Sequence, residues 1–276
     1  MADFSIPGSN GQPILGSTHT PTASSEGGPD VQPRGVVLIA HGHKGYKDYG
    51  FLPSLAQALA DRGYVAHRFN FSHSGMTEQT DTFARPDLFE QDTWSKQVHD
   101  LIVLHQAAAE GQLPGTPAGL PVTWFGHSRG GTTCLLATAK LSRDGLDIPY
   151  AVITAAAPAE CNRLSEEDQQ TLLNDGRLKN PSARTGQDLY TGKAWLQEIL
   201  DDPEAHDPLV GAELLNQRLT IVHGTADDTV PLEHAQRLNH AAPGSRLLLL
   251  DQQGHVFDDF NALADACEPN QTDPSL

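Results

Sequence analysis

The chain is expected to form an α/β fold built on a mostly parallel sheet, and three observations carry that expectation. From Gly35 onward, β-branched and apolar runs of strand length alternate with stretches of helical pattern, as in successive βαβ units. The polar clusters follow directly after such runs, at the carboxyl edge where open parallel sheets build their sites. One run, 121–125, passes straight into Gly126-His-Ser-Arg-Gly130 and a small-residue helix start, a strand–turn–helix around a serine.

The elements follow in order. Strand signals at 4–6 and 14–18 suggest an antiparallel hairpin on the sheet edge, and the Ser/Gly/Pro-rich stretch 21–33 reads as an exposed loop. Strands are then expected over 36–40, 64–71, 122–125 and 150–156, separated by helices over 52–62, 87–110 and 132–141. Between 159 and 217 the alternation stops and charged and amide residues dominate. Helical fragments at 166–174, 194–201 and 209–216 suggest a short, mostly helical cap-like insertion over the site. The alternation resumes with a strand from 219, a helix over 232–239, a strand over 246–250 and a helix over 257–266. At 276 residues one domain over 1–276 is expected, with 268–276 as a flexible tail.

Ser128 lies at the centre of the sharp turn, where its hydroxyl would stand clear of the sheet and the next backbone N–H, that of Arg129, would face a bound carbonyl. A serine hydroxyl is a weak nucleophile at neutral pH, so it needs a base in hydrogen-bond reach and a carboxylate to orient that base. Downstream, the strand from 219 opens into a loop bearing Asp227 and Asp228, and the strand over 246–250 ends near Gly254-His255. Ser128, an acid of that loop and His255 thus stand in the order Ser, Asp, His at one sheet edge. Adjacent loop residues point in different directions, so only one of the two acids can face His255, and Asp228 would suit the N-terminus of the following helix. His127, inside the turn, should point away from Ser128 and pack beneath it. A second oxyanion donor is expected from the loop after the strand over 36–40, which makes the His43 N–H the candidate. Tyr46 would lie at the mouth of the site, and Trp195, in the insertion, is a candidate for the substrate pocket. Phe51, Phe71, Met76 and Trp124 are weaker pocket candidates, because aromatics of this kind more often fill the core. His41-x-His43 lacks the further ligands of a usual metal site, so no metal is expected.

The bulk properties narrow the partners. With 35 acidic against 18 basic residues the net charge is −17, which argues against nucleic acid and anionic membranes. There is no apolar stretch of membrane-spanning length. The amino terminus lacks the basic and apolar regions of a signal peptide. Three scattered cysteines suit free thiols in a reducing compartment, so a cytoplasmic location is expected. A small-molecule substrate is expected, and a homo-oligomer stays open.

Taken together, His41-Gly42-His43-Lys44-Gly45, the segment 68–75, Gly126-His-Ser-Arg-Gly-Gly131, His223-Gly-Thr-Ala-Asp227 with Val230-Pro231, and Gly254-His255 resemble the α/β-hydrolase superfamily over nearly the whole chain. The resemblance is strongest to its small dienelactone-hydrolase-like and carboxylesterase branch, with serine where dienelactone hydrolases carry cysteine. It implies a mostly parallel eight-stranded sheet flanked by helices, and it favours Asp227 over Asp228, the acid standing fourth after the histidine in the similar pattern. The implied activity is a cofactor-free serine carboxylesterase working through Ser128, Asp227 and His255 and an acyl-enzyme. Amide or thioester hydrolysis, acyl transfer to another alcohol, and a non-catalytic binding module of the same fold are the alternatives.

Overall fold

The computed structural model describes residues 2–21 and 32–268. The expected loop over 21–33 and tail over 268–276 therefore fall almost wholly outside the described residues. A central eight-stranded sheet runs β1 (Ala2–Pro7), β2 (Pro13–His19), β4 (Tyr64–Asn70), β3 (Gly35–Ala40), β5 (Val122–His127), β6 (Ala151–Ala155), β9 (Leu219–Gly224), β10 (Arg246–Leu250). The edge hairpin β1–β2 is antiparallel, as is its junction with β4, and the remaining pairs are parallel.

Strands β3 and β5 are buried at every residue because helices cover both faces, which is why they read as continuous apolar runs. The two-residue period sorts their side chains. Val36, Leu38 and Trp124 face a core shared with α3 (Trp94–Ala109), α4 (Arg129–Arg143), α7 (Pro208–Leu215) and α8 (Glu233–Ala241). Val37, Ile39 and Phe125 face α1 (Leu52–Asp61) and α9 (Phe260–Ala266).

The structure departs from the sequence expectation in three places. The helix expected over 87–110 is two helices, α2 (Pro86–Glu90) and α3, because Thr93 adopts an extended backbone and caps α3 by accepting from the Lys96 N–H. The break lets Asp92 turn inward. Next, the insertion holds α5 (Glu166–Asp175) and α6 (Lys193–Asp201), as expected, but also a two-stranded sheet of β7 (Arg177–Lys179) and β8 (Tyr190–Gly192). Finally, α7 belongs to the layer flanking the sheet. Gly211 passes so close to α4 that a Cβ there would lie 2.0 Å from the Leu135 carbonyl oxygen. The part of the insertion that reaches the site therefore ends before α7.

Candidate active site

The turn after β5 is built by close approach. A Cβ at Gly126 would lie 2.5 Å from the Gly130 carbonyl oxygen, and one at Gly130 would lie 2.6 Å from the carbonyl oxygens of Ala40 and His41. These glycines let α4 start against β3 and β5, while the unusual backbone falls on Ser128 itself, at φ 52° and ψ −123°. Such a conformation in a non-glycine residue is costly and is held by the surrounding structure.

The loops from β9 and β10 converge on this turn. The His255 Nε2 lies 3.0 Å from Ser128 Oγ, and its Nδ1 lies 2.9 Å from Asp227 Oδ2. The other Asp227 oxygen, Oδ1, accepts the N–H groups of Thr229 (2.9 Å) and Val230 (2.8 Å), which fixes the carboxylate's direction. Burial opposes ionisation of Asp227, but the bonds from His255, Val230 and Thr229 outweigh it and hold the carboxyl below its ordinary range. Asp228 is exposed and, among the described residues, accepts only from the Thr229 hydroxyl, while α8 has no side-chain cap. The helix-capping role expected of Asp228 is therefore not present.

Three histidines support these groups. His127 Nε2 donates to the His255 carbonyl at 2.8 Å, so the residue preceding Ser128 ties down the base loop. It packs edge-on against Phe51 and Phe257 beneath the turn, as expected. His223 Nε2 donates to the Val230 carbonyl at 2.8 Å and closes the acid loop. His41 donates from Nδ1 to the Gly42 carbonyl (2.8 Å) and accepts the Phe71 N–H at Nε2 (3.3 Å). His43 instead meets the Asn180 amide at 2.8 Å, so His41 and His43 serve different partners. The loop carrying His43 touches the turn, since a Cβ at Gly42 would lie 3.0 Å from Ser128 Cβ. The Arg129 N–H opens α4, where backbone donors lack helical acceptors. Arg129 thus follows Ser128 directly, and Gly42, the residue before His43, lies against it.

A cavity of about 460 Å³ opens beside Ser128 and His255. Trp195 lines it and packs against Trp94, while from the insertion Glu160, Arg163 and Asn180 also reach it. Tyr46 does not line it. That ring packs with Met76, Phe83 and Phe89 under the Arg184 guanidinium, 4.7 Å from its centroid. Phe71 and Trp124 are core residues. The Arg129 side chain, only 11% exposed, is held 3.1 Å from Asp92 and lies 4.5 Å over the Trp94 ring. Burial raises the Asp92 carboxyl to about 6 against the opposing pull of Arg129. Trp94, Asp92 and Asn180 were not legible as site residues. The only signal was the arginine directly after the serine, a buried charge that needs a partner.

Burial lowers His41 and His127 to about 4 and His67 to about 3, from an ordinary 6.5. These rings fold neutral but take up protons when unfolded. Their contribution is complete above about 6.5 and is lost as pH falls through the folded values. Asp92, with a raised folded value, acts with the opposite sign below about 6 but is outnumbered. The melting temperature is therefore expected to fall steadily between pH 6.5 and 4. A flat profile in a calorimetric series across that window would contradict this account.

Known proteins agree with this architecture. A family model described as serine aminopeptidase, S33, matches residues 31–172. No curated relative matches the sequence. Among solved structures, Est1E from Butyrivibrio proteoclasticus with ferulic acid bound is similar at 18% identity, with 93% of each chain covered and a TM-score of 0.67. A putative hydrolase from Agrobacterium vitis S4 shares 18% identity over 97% of this chain and 99% of that one, at a TM-score of 0.68. An α/β serine hydrolase from Xanthomonas campestris shares 17% over 96% and 90%, at 0.53. Among the described residues no helix is long and apolar enough to cross a membrane. The sheet order, the strained serine turn and the matched family model lead to one conclusion: the chain belongs to the serine aminopeptidase S33 family of α/β hydrolases.

Proposed function

We propose that the protein hydrolyses carboxylic esters through an acyl-enzyme formed on Ser128. The observation that carries this reading is the continuous hydrogen-bonded chain Ser128–His255–Asp227, at 3.0 and 2.9 Å, opening on a cavity. Ser128 Oγ attacks the ester carbonyl while His255 Nε2 takes its proton. Asp227 accepts from Nδ1–H, fixes that tautomer and stabilises the imidazolium. The N–H groups of His43 and Arg129 receive the developing oxyanion, each worth about 3–4 kcal/mol in comparable sites. His255 then protonates the leaving alcohol, and water repeats the sequence on the acyl-enzyme. The insertion segment before α7 acts as a cap, since it supplies Glu160, Arg163, Asn180 and Trp195 to the cavity. Est1E, whose fold this chain shares, binds ferulic acid, which makes aromatic acyl esters a reasonable early choice in a substrate panel.

Amide hydrolysis of aminoacyl compounds is the second reading, favoured by the description of the matched family as an aminopeptidase. Purified protein should turn over para-nitrophenyl butyrate with a kcat/KM far above that for alanine and proline para-nitroanilides and for an acyl-CoA. Comparable or better turnover of an anilide would replace the ester reading with the peptidase one.

A further inference from the structure

The cavity beside Ser128 has a charge inventory that separates acids from amines as ligands. We propose that it takes esters carrying a second, anionic group such as a carboxylate, and that Arg163 is the residue selecting them. This rests on the ester-hydrolase reading above and names its substrate class.

Three formally charged side chains, arginine and carboxylate, line the cavity: Arg129, Glu160 and Arg163. Two are already committed. Arg129 is paired with Asp92 behind it at 3.1 Å, and Glu160 is paired with Arg237 at 2.9 Å. Arg163 has no carboxylate partner among the described residues. Its one side-chain bond runs from NH2 to the Thr229 carbonyl, at 2.8 Å. That bond sets the guanidinium on the loop that carries Asp227, two residues away, and leaves its other donors open at the cavity. A second cation, Lys44, stands next to His43 and, among the described residues, donates to the Pro181 carbonyl alone, at 2.7 Å.

An amine ligand would need a free carboxylate in the lining, and the single one there, Glu160, is held by Arg237. Asp228 is exposed next to Thr229 but is not part of the lining. The remaining wall suits the spacer of a dicarboxylic half-ester, because Trp94, Trp195 and Leu164 add apolar surface to the same cavity. At a net charge of −17 the molecule as a whole repels anions. Retention of an acid therefore depends on a local, unpaired guanidinium, whose planar fork matches a carboxylate.

A matched series tests this: mono-para-nitrophenyl adipate (anionic), para-nitrophenyl hexanoate (neutral) and para-nitrophenyl ω-aminohexanoate (cationic), which share a six-carbon acyl chain. The full chain should favour the anionic over the cationic ester in kcat/KM. Arg163→Gln should lower the anionic-to-neutral ratio about tenfold, the size of one charge-assisted hydrogen bond. Glu160→Gln should raise that ratio severalfold, because it removes the carboxylate charge from the cavity wall. Raising NaCl should shrink the wild-type preference through screening. A preference for the cationic ester, or a ratio unmoved by Arg163→Gln, overturns the assignment. If the neutral ester is cleaved and the anionic one is not, only the selectivity fails. If none of the three is cleaved, the ester-hydrolase reading fails with it.

Discussion

Ser128→Ala is expected to reduce kcat on para-nitrophenyl butyrate by at least about a thousandfold while the protein keeps its fold. Loss of a triad nucleophile in a serine hydrolase leaves only what oxyanion binding and substrate positioning supply. The fold should survive because Ser128 Oγ has one described partner, the His255 Nε2, and no core contact depends on the hydroxyl. Alanine must adopt the same positive φ of 52°, a strain that serine already bears. The turn's close-packed glycines at 126 and 130 are untouched, so the variant should melt within a few degrees of the parent. Steady-state kinetics after removal of contaminating esterase, together with a fluorophosphonate label that marks the parent and not the variant, decides the matter. Retention of more than about a thousandth of the parent kcat would mean that another group is the nucleophile.

Asp227→Asn should lower kcat by about 10⁴, and Asp228→Asn by far less. The reason is tautomeric. Asparagine at 227 keeps the size of the side chain, and its amide oxygen can still receive the Thr229 and Val230 N–H groups that now bond Oδ1. Its NH₂ group then faces His255 Nδ1, which must accept rather than donate. The imidazole proton moves to Nε2 and points at Ser128 Oγ, where a lone pair is needed. Asp228 has no such coupling, since its oxygen meets only the neighbouring Thr229 hydroxyl. Measuring both single variants on one ester separates the roles. A greater loss in the Asp228 variant would exchange the two assignments.

Much of the architecture was legible because it is written in local pattern. Parallel strands covered on both faces are mostly apolar, so β3, β5 and β9 announce themselves, and helices between them must show one apolar face. The serine turn was legible for a stricter reason. A chain that packs α4 directly against β3 needs glycine at 126 and 130, and that spacing survives in any reading of the sequence. Ser128, Asp227 and His255 were legible together because each follows a strand at the same sheet edge.

What tertiary structure alone decided are directions and partners between residues far apart in the chain. The helix expected over 87–110 breaks at Thr93, and the break lets Asp92 reach Arg129, thirty-seven positions on in the sequence. Helix α7 falls within the insertion by its position in the sequence, and the fit of Gly211 against Leu135 assigns it to the layer on the sheet. Of the two adjacent aspartates the resemblance already favoured Asp227, but its contact with His255 Nδ1 exists only where the loops after β9 and β10 meet. The same holds for charge. Arg129, Arg163 and Glu160 are three ordinary charged residues in the sequence, and the pairing of two of them with Asp92 and Arg237 leaves Arg163 without a carboxylate partner among the described residues. Local propensity acts over a few residues, whereas hydrogen bonds and ion pairs are settled by whatever the fold brings within about 3 Å.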